Sequence, residues 1–449
     1  MKLTINTGLL INMTSILLVI NLFLIISSTF LFLRFVRNVA FILPNVFLLI
    51  YFFIVPLSYS ITGFSMYGNS YSDNVVEAYL FSGSLFIFFY SLAFSFFQKC
   101  TFGGKVTNLF KLFLESPLKL NVNLFFLILG WFLISYFIGV ARTGSLLYLF
   151  TSSNAFAEMM ALANGKYFLI FMTSGLVYGL LVLIMRKLND EISFNKVLLF
   201  TLILSFFHFY FSTPATRTWF LLLMLSITFY FYGDIKKLSF KKIIYISVSA
   251  IVMLPLLVIL NFIRQGMSIA SASLEINKIM LNFAQFENAL ILIDKINFDL
   301  DFTYFKFLFA SISPLSIVPS AILPFQKPRA DKEAYLTENI FGDAIDLNFY
   351  QEGSTLTYTM PISGYADFGY LGVILTALLF GVTLAFFLKL FRKVGNLKLL
   401  IIYLALFSST AIRFGYEGLI SVFYAFLLMY FIQYLFFNLI SSFVNIRRA

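Results

Sequence analysis

The sequence predicts an all-α, polytopic integral membrane protein, and three observations carry that prediction. Of 449 residues, 61% are hydrophobic and only 11% are charged, with a mean hydropathy of +0.94. Soluble domains are about 45–50% apolar and about 25% charged, so this chain lacks the polar surface that water demands. Apolar stretches of about 20 residues recur along it, the length of helix that crosses a bilayer. The connections between them alternate in charge, the pattern that orients successive spans. A membrane barrel is excluded, because stretches such as 198–211 are apolar throughout where a barrel strand alternates.

Taken in order, the spans fall at roughly 10–33, 39–62, 78–97, 122–141, 167–185, 197–213, 218–233, 243–262, 364–388, 399–412 and 418–437, about eleven in all. Arg34 and Arg37 follow the first span, whereas Asp73 and Glu77, with no Lys or Arg, follow the second. Lys99, Lys105, Lys111 and Lys119 follow the third, and Arg186, Lys187 and Lys196 the fifth. Lys236, Lys237, Lys241 and Lys242 follow the seventh; Lys389, Arg392, Lys393 and Lys398 the ninth; Arg447 and Arg448 come last. The positive-inside rule makes these basic connections cytoplasmic, with the N-terminus outside and the C-terminus inside. The same rule accounts for the net charge of +11 without nucleic acid. The first apolar run is too long for a cleaved signal core and reads as a retained span. The lone Cys100 excludes an intramolecular disulfide.

One connection is long. Residues 263–357 are polar and acidic and fall outside the cytoplasm. Within them, 274–296 shows helical spacing of Ile276, Ile279, Met280 and Phe283 and reads as an amphipathic helix on the outer surface. The apolar stretch 302–325 carries Pro314, Pro319 and Pro324, which break a helix repeatedly. A full crossing there also reverses the later charge alternation, so a re-entrant or interfacial segment fits better. No internal repeat or linker divides the chain, and residues 1–449 read as one transmembrane domain.

The residues able to do chemistry gather at the outer ends of the spans. Arg142, Arg217, Arg264 and Arg413 sit at or beside such ends, and Arg329 lies in the long loop. Arginine suits phosphate because its planar fork makes two charge-assisted hydrogen bonds at once. Several converging guanidinium groups make a site for a diphosphate headgroup; the alternatives are snorkelling to lipid phosphates or pairing with acids of the loop. Arg217 lies in the tight outer turn STPATRTW (212–219), where Trp219 suits an interface or a sugar face. Asn261 and Arg264 are three apart and share a helix face.

Asp367 is the acid of the ninth span, within the stretch TLTYTMPISGYADFGYLG (355–372). There Pro361 and Gly364 are expected to start a turn, Tyr365 follows, and Gly369 and Gly372 allow close helix approach. Asp367 suits a general base, a group that holds one of the outer arginines in place, or a structural salt bridge. Arg413 and Glu417, four apart, suit a helix-face pair, with Glu417 a further candidate for acid–base work. His208 lies in the aromatic run 206–211, where an intramembrane ionisable group is a candidate by position. Walker A, HExxH and CxxC sequences are absent. One His and one Cys exclude a zinc site or a Cys–His pair.

In these features the chain resembles the O-antigen polymerase family, the Wzy-type oligosaccharide repeat-unit polymerases. The resemblance rests on the number and length of spans, the late external loop, the stretch 361–372 with Tyr365, Phe368, Gly369 and Gly372, and the ends bearing Arg217 and Arg264. It implies a membrane fold similar to C-type glycosyltransferases. It implies transfer of a growing glycan from undecaprenyl diphosphate to a new lipid-linked repeat unit at the outer face of the bacterial cytoplasmic membrane, building O-antigen or capsular polysaccharide. The implied partners are the lipid-linked donor and acceptor, membrane lipids, a chain-length regulator and a flippase, with no cofactor and no nucleic acid. Outside the cytoplasm the donor must arrive already activated, and arginines can stabilise a departing diphosphate without a metal. The related O-antigen ligases use a histidine in their external loop, which this chain lacks. The other alternative is a flippase for the same lipids.

Overall fold

A computed structural model of the chain describes residues 13–35, 42–63, 70–99, 285–298, 301–313, 332–341 and 358–393, with scattered single positions elsewhere. The elements are α1 (Met13–Phe35), α2 (Leu43–Leu49), a π turn (Ile50–Ile54), α3 (Val55–Thr62), α4 (Asp73–Lys99), α5 (Gln285–Phe298), α6 (Lys306–Ile312), α7 (Lys332–Phe341) and α8 (Met360–Lys393). No strand occurs among the described residues. Four helical stretches there are long and apolar enough to cross a membrane: Met13–Phe35, Leu43–Ile61, Asp73–Lys99 and Met360–Phe386. They fall where the first, second, third and ninth spans are expected. The chain is a helical membrane protein; the other expected spans lie outside the described residues.

Pro56 explains why the second span is irregular. Proline has no N–H, so the carbonyl of Phe52 loses its partner four residues on. The amide of Val55 bonds to Ile50 O, one residue further back than in an α-helix. This π turn leaves the carbonyls of Tyr51 and Phe52 open. Neighbouring helices supply the donors. Tyr79 Oη donates to Tyr51 O at 3.0 Å, and Asn21 Nδ2 donates to Phe52 O at 3.3 Å. In a bilayer these bonds matter, because no water replaces them.

The same three helices are joined lower down by Asn45, Ser28, Tyr90 and Ser91. Asn45 Nδ2 donates to Ser28 Oγ at 3.2 Å, Tyr90 donates to the Asn45 carbonyl, and Ser91 Oγ donates to Ser28 Oγ at 2.9 Å. Small residues let the helices approach. The ring of Phe52 fills the space above Gly83, and the backbone of Tyr90 fills that above Gly381.

α4 is the central helix, with α1 on one flank and α8 on the other. All three run parallel. Along α1 and α4, Asn21 meets Ser84 and Phe35 meets Phe94. Along α8 and α4, Tyr370 meets Phe81, Phe380 meets Phe86, and Lys389 Nζ donates to Phe97 O. Arg34, Lys99 and Lys389 therefore collect at one end of the bundle.

The described parts of the long loop lie at the other end. α5 differs from the expected surface helix. Its residues from Gln285 to Leu290 are buried on every face, Glu287 and Asn288 included. It packs on α4 and α8, with Phe286 edge-on to Tyr79 at 5.0 Å. Residues 274–284 lie outside the described residues. Of the expected re-entrant stretch 302–325, the structure describes a turn at 304–305, then α6, and Phe325.

A broken helix clamped by the long loop

α8 is not one rod. Met360 opens it, with Ile362 and Ser363 amides both bonding Thr359 O at 2.9 Å. Pro361 sits in this first turn, where its missing N–H costs nothing. The turn expected at Pro361 and Gly364 is therefore helix. The break comes instead at Phe368 (φ −151, ψ 32) and Gly369 (φ 60, ψ −140). The latter backbone conformation is essentially open to glycine alone. It turns the chain so that Gly364 lies against Gly372 and Thr376. In a straight helix, residues eight apart stand about 12 Å apart along the axis. Gly372 does provide close approach, as expected; Gly369 provides the bend.

A helix that ends inside a membrane protein leaves carbonyls without partners. Here the long loop supplies them. Thr303 N donates to Ala366 O at 2.9 Å and Tyr304 N to Asp367 O at 3.2 Å. Phe305 N donates to Asp367 Oδ1 at 3.1 Å, which also accepts from the Thr303 hydroxyl. On the other side, Lys332 Nζ stands 2.7 Å from Asp367 Oδ2 and donates to Ser363 O at 2.7 Å. Both charged side chains are enclosed, at 3% and 1% exposure.

Each contact has a physical reason. The lysine places positive charge at the C-terminal end of the short helix, where the macrodipole is negative. An enclosed ion pair offsets its desolvation only when the remaining lone pairs are also bonded, and the Thr303 hydroxyl and Phe305 amide do this for Asp367. The loop pays in backbone strain: Tyr304 (φ 50) and Phe305 (φ 55) both adopt left-handed conformations that bulky residues rarely hold. Their rings pack on Phe368, each with centroids 5.2 Å away. Phe307 meets Tyr335 at 5.0 Å and so ties α6 to α7.

Asp367 is thus a hub joining three segments: the break, residues 303–305 and α7. Of the roles its sequence position allowed, these surroundings favour the structural salt bridge, and its partner is Lys332 rather than an arginine. Tyr365 is buried with its ring against Tyr370 at 5.3 Å. Arg142, His208, Arg217, Trp219, Asn261, Arg264, Arg329, Arg413 and Glu417 lie outside the described residues. Lys332 and Thr303 were not singled out from sequence. The available signal was Asp367 itself: an acid in an apolar span calls for a cation. Sequence alone could not rank Lys306, Lys327 and Lys332 for that task.

Comparison with family models, curated proteins and solved structures gives no match. Fold and site together define the class: a polytopic helical membrane protein whose long loop is built into a broken helix.

Proposed function

We propose that this protein is a membrane glycosyltransferase that polymerises lipid-diphosphate-linked oligosaccharide repeat units at the outer face of the cytoplasmic membrane. The reading rests on the sequence around Arg217 and Arg264, which the charge alternation assigns to the ends of apolar runs on the side of the long loop. Arg142, Arg329 and Arg413 are assigned the same side. The basic ends of α1, α4 and α8 gather at the end away from the loop, which supports calling that end cytoplasmic. A loop folded into the bundle gives the outer face a fixed floor, and a fixed floor suits transfer between two lipid-borne substrates. The arginines hold the donor diphosphate and stabilise it as it leaves. The base that takes the acceptor proton is not assigned to Asp367, whose carboxylate is already engaged.

Deleting the gene and analysing envelope glycans tests this. Surface glycan reduced to single repeat units supports a polymerase. Full-length polymer in the deletion strain removes the reading.

A second reading is favoured by one observation. Discontinuous helices are common in transporters, where the break lies at the substrate site. Repeat units trapped on the cytoplasmic side of the deletion strain would mark a flippase instead. The ligase alternative lacks the loop histidine.

A further inference from the structure

The carbonyls of Ala366 and Asp367 each have two mutually exclusive partners. In a continuous helix they accept from the amides of Tyr370 and Leu371, four residues on. Here the non-helical dihedrals at Phe368 and Gly369 open both of those turns. The same carbonyls accept from Thr303 and Tyr304 instead. We propose that residues 303–305 are an exchangeable backbone wedge. Seated, they hold α8 broken; withdrawn, they let α8 zip through into one continuous helix.

Three further facts make this a two-state element. Gly369 is able to adopt both conformations, the left-handed one seen here and an ordinary helical one. The wedge is strained, with Tyr304 and Phe305 both at positive φ, so its withdrawal releases stored conformational energy. Straightening also has somewhere to transmit. Lys332 grips Ser363 O and Asp367 on the short arm of α8, so the arm carries α7 with it when it swings away from Gly372. The device does not depend on the enzymatic reading and would serve a transporter equally. It couples the seating of the external loop to the shape of a membrane helix through shared hydrogen-bond acceptors, a physical two-state link.

Gly369→Ala isolates the equilibrium. An added methyl meets only Phe302, at 3.6 Å, an ordinary contact. Alanine is therefore opposed by backbone conformation alone in the broken form, and it is favoured over glycine in a continuous helix. The two effects shift the ratio of forms by about tenfold or more. Thr303→Pro removes the amide that bonds Ala366 and weakens the wedge from the other side. The measurement is a spin-label distance in full-length protein in nanodiscs, with Cys100→Ser to clear the background and labels at Asn339→Cys on α7 and Leu379→Cys on α8. Both positions are exposed. The parent should give one dominant distance, and each variant should add a longer one as the short arm swings out. A parent-like single distance in either variant overturns the proposal. So does a Gly369→Ala protein that aggregates on gel filtration, since alanine would then be accommodated by neither form. Should Thr303→Pro fail to fold, the Gly369→Ala distances decide alone.

Discussion

The carbonyl of Gly364 occupies the space that a side chain on Gly372 would need, so the two arms of α8 touch backbone to backbone. Glycine at both positions is a requirement of this contact. Because the obstacle is main chain, it has little freedom to move aside. Gly372→Ala should destabilise the protein by about 1–3 kcal/mol or more, the usual cost of overpacking. Gly63→Ala is the contrast: nothing lies within 4 Å, but φ is +61, so its cost is conformational and smaller, about 1 kcal/mol. Thermal unfolding in one detergent, read by the fraction remaining monodisperse, ranks the two.

Lys332 and Asp367 should behave as a unit. Lys332→Met leaves an enclosed carboxylate without its cation, which costs about 3–5 kcal/mol. Replacing both at once, as Lys332→Met with Asp367→Leu, should recover much of that loss, because neither charge then has to be held in the interior. A double-mutant cycle on thermal stability gives the coupling. Additive losses from the two single changes would contradict the pairing. Trypsin cleavage within 301–341 should rise in each single variant, because the loop loses its anchor.

The π turn gives a third test. Asn21→Ala strips the donor from Phe52 O and should cost about 1–3 kcal/mol, the price of a buried unsatisfied group. Pro56→Ala restores an amide that can bond the same carbonyl within its own helix. The loss from Asn21→Ala should therefore shrink in a Pro56→Ala background. An equal loss in both backgrounds would show that the asparagine acts through its other bond, to Leu80 O at 3.1 Å.

The functional reading stands on the arginines. Arg217→Ala and Arg264→Ala should abolish long-chain polysaccharide while the protein still inserts. Lysine at these positions should restore only part of it, because an ammonium cannot reproduce the two-pronged grip of a guanidinium. Chain-length ladders on a gel check both, and full ladders in the alanine variants would refute their role.

The long apolar runs were legible from sequence because bilayer thickness fixes helix length, and the first, second, third and ninth are helices in the structure. The importance of 361–372 was also legible, since an acid and two close glycines have no place in an ordinary span. The mechanics were not. Gly369 and Gly372 look alike in sequence, yet one bends the chain and the other admits a neighbour. Over 285–296 the helix was legible but its enclosure was not, because hydropathy along a chain does not show how many sides are covered.

Sequence by itself determined the class of protein, the four described apolar helices and the basic residues at the ends of α1, α4 and α8, because these follow from local hydropathy and charge. Tertiary structure alone decided that Asp367 meets Lys332, that Thr303 and Tyr304 close the end of a broken helix, and that Tyr79 and Asn21 serve the carbonyls freed near Pro56. Each of these joins groups distant along the chain. An unpaired polar group in a membrane interior must find a partner, but which one it finds depends on how the helices pack.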